Sequence, residues 1–187
     1  MKFRYLASIL AVATVCCLPL ISYADETKPD ESFQTICVNS WLKRANQAKD
    51  QVDYKNFGEK YCGCAASQPL DNNAAIDQAI QLCMSRTLLK DAMDSVEEEV
   101  SLNKATANDI TQYCQDRWNL VYLNMTEKGK IASKAYCDCA NPKLVALIKD
   151  SDKMTDKDYD NQINGIAASC SSEIKPDAEP VTEGTQQ

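Results

Sequence analysis

The sequence predicts an all-α protein: a disulfide-stapled bundle of about six to seven helices, built from two related halves. Three observations carry this expectation. The string Tyr61-Cys62-Gly63-Cys64-Ala65 returns 75 residues later as Tyr136-Cys137-Asp138-Cys139-Ala140. Each copy is flanked by two outlying cysteines, Cys37 and Cys83 in one half and Cys114 and Cys170 in the other. Apolar residues recur with helical spacing throughout, and no stretch alternates with period two. Aligning the outlying cysteines also pairs Trp41 with Trp118, and Ile76, Ala79 and Ile80 with Ile163, Ile166 and Ala167. The two halves are expected at about residues 32–103 and 104–175.

The first 24 residues read as a signal peptide. Lys2 and Arg4 precede the apolar run Leu6 to Leu18, and Pro19 and Ser22-Tyr23-Ala24 follow as a small-x-small cleavage site. No transmembrane segment is expected after cleavage, and the predicted location is secreted or periplasmic. Residues 25–31 are polar and read as a flexible N-terminus. Phe33, Ile36, Cys37, Ser40, Trp41 and Arg44 mark a first helix, and Tyr54, Phe57, Tyr61, Cys64 and Ala65 a second that Asp53 caps and Pro69 ends. Ile76, Ala79, Ile80 and Cys83 begin a third, continued by Leu89, Ala92, Met93, Val96 and Val100 either as an extension or as a fourth.

Glu97 to Lys104 reads as the seam between the halves. Thr106-Ala107-Asn108-Asp109 has the form of a capping box with Asp in place of Glu. It opens a helix whose stripe is Ile110, Tyr113, Cys114, Trp118, Val121, Tyr122 and Met125. Thr126 to Ala140 is the next helix, halted near Pro142, with a turn or two over Leu144 to Lys149. Thr155-Asp156-Lys157-Asp158 opens the last helix, which runs to Ser169. The tail, residues 176–187, is acidic and rich in Pro, Glu and Thr and reads as disordered.

Eight cysteines remain once Cys16 and Cys17 leave with the leader: Cys37, Cys62, Cys64, Cys83, Cys114, Cys137, Cys139 and Cys170. An even count at repeated spacings in an exported chain predicts bridges. A ring joining Cys62 to Cys64, or Cys137 to Cys139, is badly strained. Pairing inside each half then leaves two patterns, both joining the central pair to the two outlying cysteines. Trp41, Trp118, Tyr61 and Tyr136 are expected in the core over these bridges.

The chain has no histidine, which removes the commonest general base and the triad and dyad chemistry built on it. Paired cysteines supply no thiolate nucleophile. The expectation is a non-enzymatic binding or interaction protein, with no cofactor and no metal. Loss of Lys2 and Arg4 takes the formal charge from −7 to −9, which argues against nucleic acid. The partner is expected to be a protein or a lipid headgroup. Lys128, Lys130, Lys134, Lys143 and Lys149 form a candidate seat for an anionic lipid or phosphoinositide headgroup. Residues 117–125 are apolar on more than one side, so Leu120 and Leu123 either meet the other half or form a contact surface. Two further alternatives stay open: cysteine thiolates holding copper or zinc, and a small hydrolase using a carboxylate pair.

The leader, the two Tyr-Cys-x-Cys-Ala strings and the helical pattern together resemble small cysteine-stapled helical proteins exported by gram-negative bacteria, including substrates of type II secretion. The resemblance implies an interaction or virulence-associated factor.

Overall fold

The computed structural model describes residues 32–174, so the expected leader, the flexible N-terminus and the acidic tail lie outside the described residues. Six α-helices follow in order: α1 (Phe33–Leu42), α2 (Gln51–Ala66), α3 (Asn73–Glu99), α4 (Ala107–Val121), α5 (Glu127–Ile148) and α6 (Asp156–Cys170). Short 3-10 turns at Ala45–Gln47, Leu102–Lys104, Ser151–Lys153 and Ser171–Glu173 punctuate them. No strand occurs among the described residues.

Each helix begins at a residue whose side chain satisfies a backbone N–H that the first turn leaves unpaired: Ser32, Asp50, Asn72, Thr106, Thr126 and Thr155. Thr106 and Asp109 form the reciprocal box that their spacing predicts. The cap of α2 is Asp50 rather than Asp53, because Asp50 Oδ1 accepts from both Val52 N and Asp53 N. Asp53 is left free to accept from Arg117 Nη1 of α4 at 3.0 Å. Pro142 does not halt α5, which runs on to Ile148. The missing N–H frees only the exposed carbonyl of Asp138, while Leu144 and Leu147 continue the buried stripe of Tyr136, Cys137 and Ala140. Burying two leucines offsets a helix-interior proline cost of roughly 3 kcal/mol.

The four bridges are Cys37–Cys62, Cys64–Cys83, Cys114–Cys137 and Cys139–Cys170. Of the two patterns left open by the spacing, both halves adopt the same one. The middle helix of each half, α2 or α5, is therefore stapled to the helix before it and the helix after it. Such a framework fits an oxidising compartment, and no helix among the described residues is long and apolar enough to cross a membrane.

The halves are not separate bodies meeting at residues 97–104. α3 is one 27-residue helix, about 40 Å long at 1.5 Å per residue. Its first part serves the Cys64–Cys83 staple, and from Cys83 to Val96 it is buried on nearly every side and packs against α2, α4 and α6. A helix buried all round must satisfy its polar groups internally. Ser85 Oγ donates to Ala167 O at 2.6 Å, Tyr136 Oη donates to Ser85 O at 2.8 Å, and Arg117 Nη2 donates to Ser95 Oγ at 2.7 Å. Asp91, only 7% exposed, is paired with Lys60 of α2 at 2.5 Å. These bonds tie α3 to α2, α4, α5 and α6 in turn.

The tryptophans occupy equivalent places in the duplicated unit. Trp41 lies 5.5 Å from Tyr61 and Trp118 lies 5.7 Å from Tyr136, ring centre to ring centre. Trp41 also stacks on Tyr54 and Phe57, and its Nε1 donates to Tyr54 O at 2.8 Å. Trp118 stacks on Tyr122 at 4.9 Å. The rings thus pack on aromatic neighbours.

Ser101, just past the end of α3, has φ 73° and ψ 135°. A non-glycine residue there is strained by roughly 1–3 kcal/mol. Ser101→Gly is expected to raise the unfolding free energy by about 1 kcal/mol, read from the midpoint of urea denaturation. An unchanged or lower midpoint would show that the turn carries no such strain.

Candidate functional site

The strained turn borders a cleft of about 710 Å³ lined by the C-terminal half of α3, the Leu102–Lys104 turn, the Ser151–Lys153 turn and the start of α6. Met154 and Leu102 supply its apolar surface, and Ser101, Asn103, Ser151 and Thr155 its neutral polar groups. Four carboxylates line it, Glu97, Asp152, Asp156 and Asp160, against one ammonium, Lys90.

Lys90 is already engaged. Its Nζ donates to Asp94 Oδ1 at 2.7 Å and pairs with Asp160 Oδ1 at 3.0 Å, which ties α3 to α6 within the cleft lining. Burial on its own would lower the lysine's pKa, but the two carboxylates outweigh it and hold the ammonium above the ordinary lysine range. The Tyr159 hydroxyl is out of water with no hydrogen-bond partner among the described residues. Burial, reinforced by the Glu97 carboxylate, pushes its pKa up to about 12. Both groups therefore hold one charge state at neutral pH.

The acids of Asp156-x-Asp158-x-Asp160 point to separate tasks. Asp158 accepts from Thr155 Oγ1 at 2.7 Å in the helix cap, Asp160 pairs with Lys90, and Asp156 lines the cleft. Comparison with protein-family models, curated proteins and solved structures finds no match.

The five lysines singled out in the sequence do not converge. Lys130 faces Glu127 at 2.6 Å and Lys134 faces Asp138 at 2.6 Å. Lys149 caps the far end of α5, about 28 Å along the axis from Lys130. Lys143 turns to the Cys139–Cys170 bridge. Lys128 is exposed near the start of the helix. Leu120 and Leu123 are half-buried against the core. All eight expected cysteines are bonded in pairs.

Sequence reasoning missed the cleft because its acids come from segments 55 to 63 residues apart, Glu97 on α3 and Asp152 to Asp160 at and before the start of α6. The available signal was acidic density in both segments, but only the contact between α3 and α6 brings them together.

Proposed function

We propose that the protein is an exported, non-enzymatic binding protein whose ligand seat is the cleft between α3 and α6, and whose ligand is a lysine- or arginine-bearing peptide segment. One observation carries the reading: among the described residues four carboxylates line the cleft against one ammonium, Lys90, which is held by Asp94 and Asp160. A cation entering there meets the carboxylates of Glu97, Asp152 and Asp156 beyond the Asp160 that Lys90 already pairs, in a cleft that focuses the field. The volume suits a few side chains of a segment, and the negative formal charge of the chain steers cationic partners toward it. The leader and the four bridges favour a secreted or periplasmic setting. An anionic headgroup on the α5 lysines has less support, since Lys130 and Lys134 already face carboxylates.

The test is a titration of the isotope-labelled oxidised protein with tetralysine and, separately, tetraglutamate, followed by amide chemical shifts. Tetralysine is expected to move Leu102, Asn103, Ser151 and Thr155, with an effect that fades as salt is raised. Asp152→Asn combined with Asp156→Asn is expected to weaken it about tenfold, on the order of 1.4 kcal/mol. Equal responses to both peptides, or shifts confined to other faces, would refute the reading.

A further inference from the structure

The Cys139–Cys170 bridge has a polar setting. Lys143 lies one turn after Cys139 on α5, and its ammonium reaches both sulfurs, 3.5 Å from Cys139 Sγ and 3.3 Å from Cys170 Sγ. The same Nζ donates to Ser169 Oγ at 2.7 Å, and that oxygen lies 3.8 Å from Cys170 Sγ. Cys139 is half-buried, whereas Cys170 is fully buried. Cys139 is thus the less buried partner, and the Cys170 sulfur has a cation at hand.

We propose that this bridge is a thiol-exchange site, whose substrate is a small external thiolate of the glutathione class and whose product is a mixed disulfide on Cys139. The external thiolate attacks Cys139 Sγ. A new sulfur–sulfur bond forms to the attacking atom as the Cys139–Cys170 bond breaks, and the electron pair leaves on Cys170 Sγ. The Lys143 ammonium neutralises the departing thiolate. A second external thiolate can then displace Cys139, releasing the small thiol as its own disulfide; two electrons pass to the protein and the external thiol is oxidised.

The physical reason is the leaving group. A thiol with a lowered pKa leaves faster in exchange, and an adjacent lysine lowers it. Burial of Cys170 works the other way, and the contact with the Lys143 ammonium opposes it. Access alone does not set this bridge apart. Cys37–Cys62 and Cys64–Cys83 also join one half-buried sulfur to one buried sulfur, so they serve as internal controls. Because α6 brings Asp156, Tyr159 and Asp160 to the cleft, exchange at its C-terminal end acts on a helix that shapes that surface.

The experiment exposes the oxidised full-length mature protein to reduced glutathione, quenches by alkylation at intervals, and maps labelled peptides. In the wild type, Cys139 and Cys170 are expected to label about tenfold faster than the control bridges. Lys143→Met is expected to abolish that lead, and Lys143→Arg, which keeps the charge, to retain it. Circular dichroism of each oxidised variant checks that the helices are unchanged. No lead in the wild type, or a lead that survives in Lys143→Met, overturns the proposal.

Discussion

Gly58→Ala is expected to destabilise the protein by about 2–3 kcal/mol, whereas Gly165→Ala, the same change on another helix, should stabilise it by about 1 kcal/mol. Both glycines lie inside helices, where alanine is intrinsically the better residue. The sign is decided by what the new methyl meets. At Gly165 there is nothing within 4 Å. At Gly58 a Cβ would sit 2.1 Å from Trp41 Cδ1 and 2.4 Å from its Cγ, far inside contact distance. Those atoms belong to the base of the indole and cannot swing aside as a flexible chain end would. The ring is held by stacking on Tyr54 and Phe57 and by its hydrogen bond to Tyr54 O. Relief requires shifting α1 against α2, to which Cys37–Cys62 staples it. Urea denaturation of both variants in the oxidised state measures the pair. Matching signs would mean that Trp41 is not seated against Gly58.

This position also shows how much the repeat reveals. A shift of 75 residues places Ser133 opposite Gly58, and both are buried. A small residue one turn before each Tyr-Cys-x-Cys string was therefore visible in the sequence, although its reason, the close approach of a tryptophan, was not. The helical class, the capping box at Thr106 and the confinement of bridges to each half were legible because local spacing determines them. Asp53 and Pro142 misled for a common reason. Each is a sound local signal overridden by tertiary structure: Asp50 takes the cap while Arg117 engages Asp53, and burial of Leu144 and Leu147 carries α5 through the proline. The acidic run at residues 97–99 reads as the start of a seam between the halves, yet α3 reaches Glu99 because its preceding turns are buried among helices of both halves. The cleft was illegible for the same reason, since it exists only where α3 passes α6.

That sharing of α3 makes the two halves unequal, and two bridge deletions should expose it. Cys37–Cys62 and Cys114–Cys137 span 25 and 23 residues, so loop entropy assigns each nearly the same stabilisation, about 3 kcal/mol. Their surroundings differ. Trp41 is the one buried residue of α1, whose Phe33 and Ile36 stay exposed. Both sulfurs of Cys114–Cys137 lie in the core, flanked by Ile110 and Trp118 on α4 and Tyr136 on α5. Replacing Cys37 and Cys62 with alanine is therefore expected to release α1 and the following turn as a local unit, with α3 to α6 remaining protected. The same double replacement at Cys114 and Cys137 is expected to lower protection throughout α3 to α6 together, by about 3 kcal/mol or more once the lost core sulfur contacts are added. Amide hydrogen exchange resolved by peptide reads both outcomes. Loss of protection in α6 after removal of Cys37–Cys62 would mean that α1 supports the core, and that the duplicated units share their stability equally.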